Sequence, residues 1–277
     1  MKTLYESLLD INDVESSIDS VAMVDSWCKD NIMGIYVIDK KTLVISSPAS
    51  ITITNKELER FPSFIQFGTI RKDFSCSRCY LLKSLEGAPK EVGANFFCGN
   101  CSSLESLAGA PEKVGRDFSC KYCTSLTSLE GAPKDVGRDF YCDYCTSLKS
   151  LEGAPENINT DFNCRYCTSL KSLKGAPKKV RMNFYCDYCT SLTSLDGAPK
   201  EVGCDFSCTN CTSLKSLDGA PKEVGQRFYC NNCTSLKSLK GAPEKVGMDF
   251  YCNGCTSLKS LDDISTHVKD KIYSDIK

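Results

Sequence analysis

The cysteines are the residues best suited to chemistry. Nine Cys-x-x-Cys pairs recur every 22 residues between positions 76 and 255. Thiolates are good zinc ligands, and two such pairs roughly 15–20 residues apart are typical of zinc ribbons. One reading is therefore a multi-zinc protein, with a candidate ligand set of Cys98, Cys101, Cys120 and Cys123. The other is two columns of buried thiols, since free cysteine packs as a small hydrophobic residue.

The repeat around each pair favours the second reading. The unit reads F-x-C-x-x-C-x-S-L-x-S-L-x-G-A-P-x-x-V-G-x-x over residues 73–261. Each copy already supplies a phenylalanine, two leucines, a valine and an alanine to a core, and nine pairs leave one unmatched. We therefore expect the second cysteine to bond to neighbouring backbone, and we expect no metal or other cofactor.

A fixed period of this length predicts a solenoid. Phe-x-Cys alternates as a strand does, so successive copies should stack in a parallel sheet, about 4.8 Å apart. The proline in each Gly-Ala-Pro triplet excludes a long helix on the opposite, return side. The glycine after each valine suggests positive φ; Asn159 also suits that conformation, and Arg181 suits it less well. These glycines are Gly93, Gly115, Gly137, Gly203, Gly225 and Gly247.

The aligned unit, V-G-x-x-F-x-C-x-x-C-x-S-L-x-S-L, resembles the leucine-rich repeat L-x-x-L-x-L-x-x-N/C-x-L. Two spacings are one residue longer than that consensus. The Gly-Ala-Pro segment is similar to the turn of short bacterial leucine-rich repeats, and repeat proteins of phage and gut-bacterial genomes look similar too. The resemblance covers residues 73–261. It implies a β-rich leucine-rich-repeat solenoid, with short parallel strands on a concave face, and a binding role without catalytic residues.

The flanking segments predict caps. Apolar residues at helical spacing predict a helical segment over residues 1–34, with Gly34 as its stop. Alternating residues predict a β cap over 35–72. Residues 262–277 keep the 22-residue frame without its markers and are expected to form a degenerate repeat that caps the C-terminal end. The apolar positions of the first segment are Leu4, Leu8, Leu9, Val14, Ile18, Val21 and Cys28.

Composition excludes several classes of function. Lysine and arginine number 34 against 35 acidic residues, so no nucleic-acid or anionic-membrane footprint is visible. No apolar run is long enough to span a bilayer, and the N-terminus lacks a secretory h-region, so we expect a cytoplasmic protein with free thiols. The single histidine, His267, has no triad candidate nearby, so we expect no enzymatic activity.

The variable positions around the cysteines are the candidate binding site. Tyrosine is favoured at interfaces because it is large, stiff and amphipathic. Tyrosines stand between paired cysteines and in the outward slot after the phenylalanine; charges of alternating sign follow the first cysteine, and an acidic row precedes the phenylalanine. The candidates are Tyr122, Tyr141, Tyr144, Tyr166, Tyr185, Tyr188, Lys121, Asp143, Arg165, Asp187, Asp117, Asp139 and Asp161.

The sequence therefore predicts a module that recognises a partner protein through its concave strand face, as a monomer or weak oligomer. If the resemblance extends to phage proteins, a host-directed binder or inhibitor is expected. Two other classes stay open at this point: the multi-zinc protein, and a structural component of a larger assembly.

Overall fold

The computed structural model describes residues 20–264 and 268–276. Helix α1 spans 20–31 and buries Val24 and Cys28 against the first layer of the core. Strand β1 (Ile32–Gly34) follows at once and pairs antiparallel with β4 (Ile51–Ile53). The prediction of helix up to Gly34 is therefore wrong for the last three residues, because they pair as a strand at the end of a sheet. Five positions of the predicted helical segment lie outside the described residues: Leu4, Leu8, Leu9, Val14 and Ile18.

One sheet of twelve strands runs along the whole described chain. After the antiparallel β1–β4 pair, every neighbouring pair is parallel, and each phenylalanine lies opposite the phenylalanine of the next repeat. The remaining strands are β6 (Phe74–Ser75), β8 (Phe96–Phe97), β10 (Phe118–Ser119), β12 (Phe140–Tyr141), β14 (Phe162–Asn163), β16 (Phe184–Tyr185), β18 (Phe206–Ser207), β20 (Phe228–Tyr229), β22 (Phe250–Tyr251) and β23 (Ile272–Tyr273).

The return side of each turn is extended and forms two further sheets, called here the return sheets. The first has six strands: β2 (Val37–Ile38), β3 (Val44–Ser47), β5 (Gln66–Ile70), β7 (Glu91–Val92), β9 (Lys113–Val114) and β11 (Asp135–Val136). The second has five: β13 (Asn157–Ile158), β15 (Lys179–Val180), β17 (Glu201–Val202), β19 (Glu223–Val224) and β21 (Lys245–Val246). The protein is thus a β-solenoid of parallel strands with very little helix, as the sequence predicts.

Columns of identical side chains fill the interior. The nine repeat phenylalanines are fully buried and stack from Phe74 to Phe250, with neighbouring ring centroids 5.0–5.6 Å apart. Leucines, valines and both cysteines of each repeat form parallel columns beside them. Stacked ring pairs are worth about 0.5–1.5 kcal/mol each beyond the area that they bury. This column therefore holds the register of the twelve-stranded sheet repeat by repeat.

The glycine prediction is wrong in position. Positive φ belongs to the glycine of Gly-Ala-Pro, for example Gly109 at +86°, and not to the glycine after valine. The glycine after valine is required instead because the backbone of the preceding repeat approaches it closely: a Cβ on Gly115 would lie 2.2 Å from the carbonyl oxygen of Gly93. We call these residues the close-approach glycines. Neither Asn159 nor Arg181 has positive φ.

The return side is interrupted once. Strands β11 and β13 do not pair, and the division lies where Asn159 first replaces the close-approach glycine. Arg181 also carries a Cβ, yet β15 pairs normally with β13, so the substitution alone does not account for the division. At the division the Asn159 side-chain amide donates to the carbonyl oxygen of Gly137 over 3.5 Å. The twelve-stranded sheet continues through the same repeats unbroken.

The flanking segments join the sheets rather than sitting on top of them. Strands β4 and β5 pair in parallel with β6 and β7 of the first repeat, and the Phe61 and Phe67 rings contact Phe74. At the other end, Ile272 pairs with Phe250 and Val268 with Val246, which keeps the 22-residue frame. The described ranges contain no helix long and apolar enough to cross a membrane.

Candidate functional site

The cysteine thiols bond to backbone. From the second repeat onward, the second cysteine of each pair donates its Sγ–H to the carbonyl oxygen of the first cysteine one repeat earlier, as Cys123 does to Cys98 over 3.2 Å. The other seven bonds of this kind are 3.1–3.3 Å long. Several first cysteines donate forward to the next repeat, as Cys142 does to Asn163. The second cysteines thus bond to the neighbouring backbone at the turns, as the sequence predicts.

The geometry does not fit zinc. Thiols bind the metal as thiolates, so a ligand must lose its proton. Burial and the neighbouring Cys167 thiol raise the pKa of Cys142 well above its ordinary value, and burial raises the pKa of Cys252 to about 11, whereas a hydrogen bond with the Cys76 side chain lowers the pKa of Cys101. All 20 thiols are free. The described residues contain no group of three or more histidine, cysteine, aspartate or glutamate side chains that could hold a metal ion. Cys98, Cys101, Cys120 and Cys123 therefore do not form such a group.

Four tyrosines form a stack along the turns of the Cys-x-x-Cys pairs. Tyr122, Tyr144, Tyr166 and Tyr188 lie with neighbouring ring centroids 4.4 Å apart and planes within 10°. Only the two end rings are strongly exposed, at 43% for Tyr122 and 39% for Tyr188. Partial desolvation and the neighbouring tyrosines raise the pKa of Tyr166, so its hydroxyl stays protonated at neutral pH.

The backbone of this stack is strained. All four tyrosines have φ of 59–62°, the left-handed region that bulky side chains rarely adopt. The same column holds asparagine at 100, 210 and 232 and glycine at 254, the residues that tolerate this conformation best, and Arg78 in the first repeat. Backbone strain of this kind costs about 1–3 kcal/mol per residue and clusters at functional sites. The tyrosines therefore occupy positions where local stability favours other residues.

A second set of tyrosines lies in the outward slot of the strands, and two of them, Tyr141 and Tyr185, lie under a cation. Lys121 Nζ lies 4.0 Å from the ring centroid of Tyr141 and 3.2 Å from Asp143 Oδ2. Two repeats later, Arg165 lies 4.0 Å from the ring centroid of Tyr185, with its Nε 2.9 Å from Asp187. The alternating charges predicted from the sequence therefore pair with one another along the sheet.

The acidic row before the phenylalanines has an internal role. Asp117 Oδ1 accepts the backbone N–H of Asp139, and Asp139 Oδ1 accepts that of Asp161. Asn95 and Asn183 continue the same ladder in other repeats. Although burial opposes it, hydrogen bonds from Thr160, the Asp161 N–H and Tyr141 lower the pKa of Asp139. These carboxylates hold repeats together, and their part in binding stays a prediction.

A groove at the C-terminal side of this surface is not among the features predicted from the sequence. A shallow cavity of about 330 Å³ is lined by Tyr185, Asp187, Tyr188, Asp205, Ser207, Thr209 and Tyr229. Because this one cavity includes both Tyr185 and Tyr188, the two sets of tyrosines share one surface. We call that surface the tyrosine face and define it by Tyr122, Tyr141, Tyr144, Tyr166, Tyr185, Tyr188 and Tyr229. The signal for the groove in the sequence is the small residue Ser207 between two outward tyrosines.

The comparisons with known proteins add little. No protein-family model matches the chain, and no curated protein matches it. Among solved structures, it is similar to a leucine-rich repeat protein from Bacteroides ovatus ATCC 8483, with 15% sequence identity over 87% of this chain and 89% of that chain and a TM-score of 0.25. A TM-score of this size does not define a common fold, so the description of the fold rests on the strand topology above.

Proposed function

We propose that this chain is a non-enzymatic protein-interaction module whose partner binds the tyrosine face. The observation that carries the proposal is the four-tyrosine stack at positive φ. The solenoid needs a left-handed residue at each of these turns; elsewhere in the column asparagine or glycine meets that need in four repeats, and Arg78 does so in the first. Four consecutive tyrosines there stabilise the backbone least and present the most aromatic surface.

The chemistry of the face supports a protein partner. Rigid aromatic side chains lose little conformational entropy on binding and are enriched among the residues that dominate interface energies. Here they stand beside paired charges, with Lys121 and Arg165 each 38% exposed at the side chain. A surface that mixes stacked rings with partly buried ion pairs offers both apolar contact and orientation. In leucine-rich repeats, which the sequence resembles, the strand face is the concave, binding side, and this supports the proposal.

The identity of the partner is a separate matter. A host protein recognised by a phage-encoded inhibitor is what the sequence resemblance implies, and this stays a prediction. Self-association into a larger assembly is the competing use of the same surface. It would appear as a mass in sedimentation equilibrium that falls when the tyrosines are replaced.

Site-specific photo-crosslinking tests the proposal. A photoreactive phenylalanine derivative at Tyr166 should crosslink a discrete protein in an extract of the cells that encode the chain. The matched control carries the same group at Lys179, which is exposed on the return sheet. Crosslinks from 166 and none from 179 are expected. Crosslinks only from 179, or none from either position, would overturn the proposal.

A further inference from the structure

The outward slot alternates between small and aromatic residues with a period of two repeats. Small residues stand at Ser75, Ser119, Asn163 and Ser207, and aromatic residues at Phe97, Tyr141, Tyr185 and Tyr229. Ser119, Asn163 and Ser207 are buried at the floor of the face, whereas the aromatic rings stand half-exposed above it. The face therefore has a ridge every 44 residues and a gap between successive ridges.

In two of these gaps the chain holds its own cation. Lys121 lies over Tyr141 and pairs with Asp143; Arg165 lies over Tyr185 and pairs with Asp187. In each case the cation comes from the repeat before the tyrosine, and the carboxylate comes two residues after the tyrosine. The recurring unit is thus a cation held between an aromatic face and a carboxylate, a combination that attracts both ammonium and guanidinium groups.

The third gap lacks the cation. The position two repeats after Arg165 is Thr209, whose side chain is too short to reach Tyr229, and a cavity of about 330 Å³ lies there. One ring of its wall is Tyr229, which stacks on Tyr251 at 4.7 Å on its other side. Asn231 replaces the expected aspartate, but Asp187 and Asp205 both line the cavity.

Neither of the two neighbouring cations of the chain lines this cavity. Arg165 pairs with Asp187 Oδ2 from the far side of Tyr185. The Arg227 side chain interacts electrostatically with Tyr229 and Asp205 at the margin of the cavity, and its Nε lies 3.8 Å from Asp249 Oδ2. Asp187 Oδ1 accepts the Thr209 backbone N–H at 3.0 Å and the Ser207 hydroxyl, and Asp205 Oδ1 accepts the Arg227 backbone N–H at 3.0 Å. Both carboxylates are thereby fixed at the edge of the cavity.

We propose that the gap at Ser207 binds an arginine or lysine side chain of the partner, which takes the place that Lys121 and Arg165 fill in the two earlier gaps. This inference rests on the proposed function, since it names the chemistry of one contact on the tyrosine face. The other gaps are closed to a partner because the chain fills them itself. The stacked tyrosines are equivalent from repeat to repeat, so they do not fix where the partner lies along the solenoid. One cation bound at Ser207 would fix that position.

The test is an NMR titration with N-acetyl-arginine amide, and with N-acetyl-citrulline amide as the neutral isostere. The arginine compound should shift the ring signals of Tyr229 and Tyr185 and the amides of Ser207 and Thr209, at least tenfold more strongly than citrulline. The signals of Tyr141 should not move, because Lys121 already covers that ring. Equal shifts with both compounds, or shifts at Tyr141 instead, would overturn the inference.

The matched variants are Thr209→Arg and Thr209→Gln. Thr209→Arg supplies the missing cation from within the chain, so it should abolish the arginine-dependent shifts and weaken capture of the crosslinked partner at least tenfold; Thr209→Gln should do neither. If Thr209→Arg binds partner and probe as the wild type does, the inference fails. If replacement of Tyr144 and Tyr166 nevertheless abolishes capture of the partner, the proposed function holds even though this inference fails.

Discussion

The two sides of this solenoid are built from the same repeats, yet one carries an unbroken sheet of twelve strands and the other is divided between β11 and β13. The unbroken side has a phenylalanine stack beneath it, thiol-to-carbonyl bonds along its turns and a ladder of Asp and Asn side chains at its edge. The repeats pair through two residues on either side, but the return side depends in addition on glycines that allow close approach. Redundant contacts therefore keep the side that presents the tyrosines regular, whereas the other side tolerates an interruption.

The largest expected effect comes from the phenylalanine column. Phe162→Ala removes a fully buried ring stacked on Phe140 and Phe184, each 5.3 Å away, and should lower the free energy of unfolding by about 3–5 kcal/mol. Chemical denaturation followed by circular dichroism measures this loss. Ile158→Ala, four residues earlier and at the division of the return sheets, should lose less because the neighbouring strand can close around it. An equal or larger loss for Ile158→Ala would reverse the comparison between the two sides.

The close-approach glycines give the next largest effect. A Cβ on Gly225 would lie 2.0 Å from the carbonyl oxygen of Gly203, so Gly225→Ala should destabilise the protein by about 1–3 kcal/mol. Arg181→Ala is the matched control, since that position of the column already carries a Cβ, and it should change stability by no more than about 0.5 kcal/mol. Both values come from denaturant titrations. A neutral Gly225→Ala would show that the return strands can separate freely.

Acid should weaken the edge ladder through Asp139. Its folded-state pKa lies below the ordinary 3.8, so the charged form contributes stability that is present above that value and is lost as the pH falls through the folded pKa. Between about pH 5 and about pH 3, the wild type should therefore lose more stability than Asp139→Asn. Asparagine keeps an Oδ1 for the Asp161 N–H, as Asn95 and Asn183 do in the same ladder. Equal losses in both proteins would show that Asp139 does not contribute to the pH dependence of stability.

The tyrosine stack should give the smallest effect on stability. Tyr166→Asn loses two ring contacts at 4.4 Å but places a residue that tolerates positive φ, so the two changes should offset to within about 1 kcal/mol. Asn232→Tyr, at the same position of another repeat, gains strain without a tyrosine on either side and should be destabilising. Thermal melts of both variants check this pair. A large loss for Tyr166→Asn would mean that the stack serves the fold rather than a partner.

The repeat made much of this architecture predictable. Each inward position recurs every 22 residues, so one frame assigns the phenylalanine, cysteine, leucine and valine columns at once. The frame does not distinguish a glycine that needs positive φ from one that needs close approach, because the second requirement comes from the backbone of the preceding repeat. The prediction of positive φ at Gly115 is wrong for that reason, and Gly109 has the positive φ.

The candidate site was predictable in its members and not in its contacts. The tyrosines between cysteines are visible as a run, but their left-handed backbone is not expected of a bulky residue. Asn100, Asn210, Asn232 and Gly254 in the same column are the signal for it. The alternation of small and aromatic residues is also present in the sequence. Its consequence, that Arg165 fills one gap and Thr209 leaves the next one open, depends on which side of each ring the cation reaches.

The most direct test of the central claim is the dissociation constant of the crosslinked partner, measured by calorimetry for the wild type and for Tyr144→Asn/Tyr166→Asn. The control is Lys179→Ala/Glu201→Ala on the return sheet, which removes an exposed ion pair of 2.9 Å. All three proteins should unfold at similar denaturant concentrations. We predict that the tyrosine variant binds at least tenfold more weakly and that the return-sheet variant binds as the wild type does. A folded tyrosine variant with unchanged affinity would contradict the account.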